Sequence, residues 1–184
     1  MTPMETLFAI CRSLEATLKD FRFEDEGGKE RPVTVYPFHF PEQVLAAMNP
    51  HAEDGYTPIP DTQDDAFQRL MPAVVVRPLS YEDKTLDDDS SILSMAVTVG
   101  VFSRDPANVA GSWGVVNILE RIRQAIEARP ILEDRCEALL PLSWELYDEA
   151  LRPLWFGEMV MQWRILDPHR LDESNWAGDF LKGV

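Results

Sequence analysis

The sequence predicts an α+β fold: a four-stranded, mainly antiparallel sheet packed against an N-terminal helix and a central helix, with an extended proline-rich arm. One observation is the alternation of residues 155–165, WFGEMVMQWRI, with the period of a pleated strand. The apolar side of that strand consists of Trp155, Gly157, Met159, Met161, Trp163 and Ile165. The other observation is that two pairs of such strands flank one long amphipathic helix, and a sheet covered by helices buries the apolar side of each element. We interpret this strand face as a core wall and not as an aromatic ligand box, because sheet faces need large side chains.

The N-terminal helix is indicated by its start signals and by its apolar spacing. Thr2 and Glu5 form a capping box, and Pro3 suits the first helical position. One apolar stripe then runs to about residue 21, through Leu7, Cys11, Leu14, Leu18 and Phe21.

The domain organisation is one α+β domain over residues 1–166 and a C-terminal tail over residues 167–184. Within the domain, prolines and scattered acids predict an extended arm or insertion over about residues 23–70. Two short elements are compatible with this part of the chain, a strand at 33–36 and one or two helical turns at 42–48.

The rest of the domain reads as strand, strand, helix, strand, strand. Residues 72–79 and 92–102 are rich in β-branched side chains and predict an antiparallel hairpin around a polar loop. Residues 112–129 predict a helix that ends before Pro130, and residues 139–146 predict a strand in which Pro141 marks an edge or a bulge. The helix has an apolar seam widened by Trp113 and Val116; its members are Val115, Leu119, Ile122 and Ile126. Gly157 is expected to relieve crowding or to allow a bulge beside Trp155.

The charge balance excludes some partners. Seventeen basic and 32 acidic residues give a formal net charge of −15, which repels nucleic acid and anionic membrane surfaces. We therefore expect no direct nucleic-acid binding, and no stretch approaches the ~18 apolar residues of a membrane span. Cys11 and Cys136 lack CxxC spacing, so no disulfide framework is expected, and Cys11 is predicted to be buried.

No pattern of catalytic, cofactor-binding or metal-binding residues emerges, so the sequence predicts a protein that is not an enzyme. His39, His51 and His169 lack metal-ligand spacing, and the acids around residues 82–89 lack the spacing of a calcium loop. Two candidate interaction surfaces remain. One is an acidic loop and the other an aromatic tail; their residues are Asp83, Asp87, Asp88 and Asp89 in the loop, and Trp176 and Phe180 in the tail.

The block from Met71 to Leu166 carries a resemblance to a known family. It reads MPAVVVRPLSYEDK, then AVTVGVFSRDPANVAGSWGVVNILERIRQAIEARPIL, then LPLSWELYDEALRPLWFGEMVMQWRI. This succession resembles the tail-terminator (tail-completion) proteins of tailed bacteriophages and prophages, encoded in the head-to-tail joining region.

The resemblance implies an α+β subunit that assembles with itself into a ring, expected to hold six copies, at the head-proximal end of the tail. Its partners would be the tail-tube and head-connector proteins. It would be found in the cytoplasm of the bacterial host during assembly and then in the virion tail. The family is structural, so the resemblance assigns no active-site residue.

Two other functions compete with this one. An acidic protein can act as a DNA mimic that occupies a nuclease or a repressor, and the net charge of −15 is its support. A small metal-assisted hydrolase using the Asp-rich loop is the other alternative, and metal-dependent thermal stabilisation would reveal it.

Overall fold

The computed structural model describes residues 2–24, 29–48, 64–83, 90–105, 109–147 and 152–166. The helices of these ranges are α1 (Pro3–Leu18), α2 (Glu42–Met48), α3 (Asp64–Leu70) and α4 (Val109–Ala128). The short strands are β1 (Arg22–Glu24), β2 (Glu30–Pro32), β3 (Thr34–Pro37) and β6 (Ile131–Leu132). The long strands are β4 (Ala73–Asp83), β5 (Ser90–Phe102), β7 (Cys136–Leu146) and β8 (Leu154–Leu166). No helix in the described ranges has the length and apolarity to cross a membrane.

The main sheet is mixed and has the strand order β3-β4-β5-β8-β7-β6. Strand β3 runs parallel to β4, and the other neighbours are antiparallel. The α+β class is therefore confirmed, but the predicted four-stranded sheet is wrong, because β3 and β6 extend it to six strands. The two additional strands span four and two residues, which is too short to show a period-two pattern in sequence.

The four predicted strands form the centre of this sheet. The hairpin of β4 and β5 is antiparallel, as predicted, and β5 lies beside β8 along its whole length. In β7, the register with β8 shifts between Leu139 and Ser143, so Pro141 lies at an irregularity. The pairing of β8 is continuous through Gly157, and this glycine therefore relieves crowding and does not form a bulge.

One face of the sheet packs against α1 and α4. The predicted face of β8 is confirmed, with Met159, Met161, Trp163 and Ile165 buried in the main core. The α4 seam is buried at Val115, Leu119, Ile122 and Ile126. Trp113, however, was predicted to widen that seam and is 61% exposed. Helix α1 has its predicted capping box, in which Thr2 N donates to Glu5 Oε2 at 2.7 Å, and it ends at Leu18.

The other face of the sheet packs against α2 and α3 over part of its area. A second apolar cluster forms there from nine buried residues, Phe40, Val44, Phe67, Met71, Ala73, Val75, Phe102, Leu154 and Phe156. Strand β3 belongs to the main sheet, and α2 and α3 contribute to this cluster, so these parts of residues 23–70 pack on the main body. Residues 25–28 and 49–63 lie outside the described ranges.

Candidate interaction surfaces

The residues predicted as interaction surfaces fall mostly outside the described ranges. Asp83 is exposed at the end of β4, where it pairs in register with Ser91 of β5. Asp87, Asp88, Asp89, Trp176 and Phe180 lie outside the ranges that the structure describes, as do His51 and His169. Within the described residues, no group of three or more His, Cys, Asp or Glu side chains has an arrangement that could hold a metal ion.

Helices α1 and α4 lie antiparallel across the inner face of the sheet, and two contacts fix this direction. Arg12 of α1 forms an ion pair with Glu133, just beyond the C-terminal end of α4, with Nη2 and Oε1 2.6 Å apart. Phe23, which follows α1, packs against Gly114 near the N-terminal end of α4. The N-terminal halves of α1 and α4 therefore lie at opposite ends of the helical layer.

The N-terminal half of α4 exposes an apolar patch, which we name the Trp113 patch. It consists of Trp113, 61% exposed, and Val109 one turn earlier, 49% exposed. The indole N–H of Trp113 makes no hydrogen bond to any residue that the structure describes. The first turn of this helix is fixed by Asp105, whose Oδ2 accepts from the backbone N–H groups of Val109 and Ala110 at 3.1 and 3.0 Å.

Two glycines explain why Trp113 faces outward. A Cβ atom at Gly111 would overlap the indole ring of Trp155, and one at Gly114 would lie 2.5 Å from Phe23. This close approach places positions 111 and 114 on the buried side of α4. Position 113 is about 200° around the helix from position 111, so its side chain lies on the opposite side. The glycine spacing is the sequence signal that the hydrophobicity pattern missed.

The N-terminal half of α1 borders a small cleft, which we name the Phe8 cleft. It has a volume of about 330 Å³ and is lined by Glu5, Phe8, Arg12, Glu133 and Arg135. Phe8 is 42% exposed, and Met4 is exposed one turn before it. The side chain of Arg135 makes no hydrogen bond or ion pair within the described ranges. The pKa of Glu5 is lowered mainly by the hydrogen bonds from Thr2, and the charge of Arg135 contributes to this shift.

The rim of the Phe8 cleft contains a strained turn. Glu133 and Asp134 have φ values of 51° and 54°, in the left-handed region that non-glycine residues avoid. The turn is closed by the backbone N–H of Arg135, which donates to Leu132 O at 3.1 Å. Positive φ at both central residues is what a tight hairpin turn requires, and this turn joins β6 to β7. Glu133 of the turn forms the ion pair with Arg12.

A wider groove of about 570 Å³ lies between α1 and α4. Small side chains form its walls, and two arginines, Arg121 and Arg129, lie along it. Asp20 also lines the groove and partly offsets their charge. It contains no exposed aromatic side chain among the residues that line it.

A polar cluster on the other face of the sheet joins three strands. Glu158 Oε2 accepts from Thr98 Oγ1 at 2.9 Å and from Tyr147 Oη at 3.1 Å, and Arg77 Nη2 lies 3.3 Å away. Burial raises the pKa of Tyr147, and the nearby charge of Glu158 raises it further. Because one carboxylate oxygen serves three donors, we interpret this cluster as a structural link between β4, β5 and β8.

No protein-family model matches this chain, and no curated protein is significantly similar to it in sequence.

Proposed function

We propose that the protein is a structural subunit that associates head to tail with further copies of itself, as a tail terminator at the head-proximal end of a phage tail. The single observation that carries the proposal is the presence of two unlike surfaces, an apolar patch and a charged cleft with one exposed aromatic ring, at opposite ends of the helical layer. These are the Trp113 patch on α4 and the Phe8 cleft beside α1. Unlike surfaces on opposite ends favour heterologous contacts, and such contacts give a closed ring when the rotation between copies closes.

The resemblance to tail terminators supports the same proposal. The block from Met71 to Leu166 corresponds to β4, β5, α4, β6, β7 and β8. These five strands are adjacent in the sheet, and α4 packs on β5, β7 and β8. The resembling segment is therefore one continuous body, as expected for an assembly subunit. The proposed ring contains six copies and contacts the tail-tube and head-connector proteins.

The net charge of −15 suits a ring through which DNA passes. An acidic lumen repels the phosphate backbone and so prevents the DNA from binding to the wall. The loop that follows Asp83 is our candidate for the lumen surface. Replacing Asp87, Asp88 and Asp89 with Asn should leave folding intact and should slow DNA passage through assembled tails. Unchanged passage would show that this loop does not line the channel.

The decisive experiment measures mass in solution together with negative-stain imaging, for the chain alone and for the chain mixed with purified tail-tube protein. We expect closed rings in at least one of the two samples. A chain that stays monomeric in both, at the highest attainable concentration, would contradict the proposal.

A further inference from the structure

We propose that Trp113 of one copy inserts into the Phe8 cleft of the next copy and is the main anchor of the ring interface. This inference rests on the head-to-tail association proposed above. It adds the two contact surfaces and the residues that form them.

The chemistry of the Phe8 cleft suits an indole ring. Phe8 offers a partly exposed aromatic surface, and the guanidinium of Arg135 has no hydrogen-bond partner in the described ranges. A free guanidinium binds the face of an indole more strongly than the face of any other aromatic side chain. The carboxylate of Glu133 is an acceptor for the indole N–H, which lacks a partner in the single chain as described.

The volume of the cleft points to a side chain and not to a large ligand. At about 330 Å³ it lies at the lower end of the range for ligand pockets. One tryptophan buries 150–250 Å² and can therefore act as a single anchor. Around it, Val109 from one copy and Met4 from the other are exposed and would exclude water from the contact.

Trp113 cannot enter the cleft of its own chain. The antiparallel packing of α1 and α4 places the cleft beyond the C-terminal end of α4, and residues 113 to 128 of that helix span about 22 Å. Both surfaces lie on helices or a tight turn packed on the same core, so this distance is fixed. Each copy therefore presents one donor and one acceptor surface, which is the requirement for a head-to-tail ring.

The test uses two single variants, Trp113→Ala and Phe8→Ala, in the full-length chain. Each variant loses one surface and keeps the other, so each alone should remain monomeric where the wild type forms rings. An equimolar mixture should form a heterodimer and no larger species, because Trp113 of the Phe8→Ala chain enters the intact cleft of the Trp113→Ala chain. Mass measurement by light scattering, run with tail-tube protein if the wild type needs it, separates these species.

Two further variants serve as controls. Val160→Ala removes an exposed apolar side chain on the other face of the sheet and should keep the rings. Arg135→Ala keeps Phe8 in place and should weaken association roughly 2- to 30-fold through loss of the cation–π contact. This second variant tests the cleft even if Phe8→Ala does not fold.

The outcomes separate this inference from the proposed function. Rings that persist in both Trp113→Ala and Phe8→Ala overturn the contact and leave the ring standing. An equimolar mixture that stays monomeric overturns the donor and acceptor assignment. A wild-type chain that assembles neither alone nor with the tube protein overturns the ring and this contact together.

Discussion

Trp144 of β7 donates its indole N–H to Glu120 of α4 across 2.6 Å and so ties the sheet to the helix that covers it. The same carboxylate accepts from Arg123 at 2.9 Å, and Arg123 also binds Glu127 at 2.6 Å. The hydrogen bonds from Arg123 and then from Trp144 lower the pKa of Glu120 to about 2, from the ordinary value of 4.5.

This shift predicts how acid affects the free energy of unfolding. The folded-state pKa is depressed, so the unfolded chain binds a proton near pH 4.5 while the folded chain does not until about pH 2. The stabilisation by Glu120 is complete above pH 4.5 and is lost as the pH falls towards 2. Glu120→Gln should therefore be less stable than the wild type at pH 7, and the difference should shrink between pH 4.5 and 2. Urea unfolding of both proteins at pH 7, 4.5 and 3 measures this difference in unfolding free energy.

The control for this prediction is Glu127→Gln. That variant removes a carboxylate from Arg123 but leaves the Trp144 bond, so the indole N–H resonance of Trp144 should move in Glu120→Gln and stay in Glu127→Gln. Equal acid sensitivity of Glu120→Gln and the wild type would contradict the role of Glu120.

The centre of the sheet was predictable because its strands are long and strongly patterned. Strands β4, β5, β7 and β8 have 11 to 13 residues each, enough for the period of two to show. Strand β6 was missed because two residues are too few to show that period. A short strand was expected at 33–36, but its place in the sheet was not, because its partner β4 is distant in sequence. Trp113 was misplaced because hydrophobicity alone does not show that Gly111 and Gly114 hold the buried side of α4.

The candidate site was less predictable than the fold. The Phe8 cleft combines α1 with the turn between β6 and β7, and its ion pair joins residues 121 positions apart. No local motif marks such a site. The Arg135 side chain without a hydrogen bond in the described ranges and the positive φ values of Glu133 and Asp134 are visible only in three dimensions.

At Gly157 of β8, the space next to α4 and β7 is too small for a larger side chain. A Cβ atom at this position would lie 2.8 Å from Val115 Cγ1 and 2.9 Å from the carbonyl oxygen of Glu145. Because a backbone atom of the neighbouring strand cannot move freely, Gly157→Ala should reduce the free energy of unfolding by about 1–3 kcal/mol. Thermal and urea unfolding measure the loss.

The matched control is Gly100→Ala on β5. There the nearest atoms belong to the side chains of Phe156 and Met71, and the methionine in particular can adjust its rotamer. The loss in Gly100→Ala should be smaller than in Gly157→Ala. The opposite order would show that the Glu145 carbonyl does not limit the space at Gly157.

The two cysteines predict an unreactive native protein. Cys11 and Cys136 are both buried free thiols, and burial raises the pKa of each to about 11. Since the thiolate is the reactive form, native protein at pH 8 should react with a disulfide reagent at least ~100-fold more slowly than protein unfolded in guanidinium. Two thiols that titrate at full speed without denaturant would contradict the burial of these side chains.

Substitution by alanine should lower the free energy of unfolding strongly at Trp163 and hardly at all at Trp113. Trp163 is fully buried in the main core between Leu93 of β5 and Ala138 of β7, so Trp163→Ala should cost about 3–5 kcal/mol of unfolding free energy. Its indole N–H has no hydrogen-bond partner in the structure as described, and Trp163→Phe should therefore cost less, roughly 1–2 kcal/mol, because it removes an unsatisfied donor and keeps an aromatic ring. Trp113→Ala should change stability by less than about 0.5 kcal/mol because the side chain is exposed. Urea unfolding of the three variants, followed by circular dichroism, measures these changes in unfolding free energy. A fully stable Trp163→Ala protein would contradict the core role of Trp163 and would favour a ligand-binding face on the strand of residues 155–165.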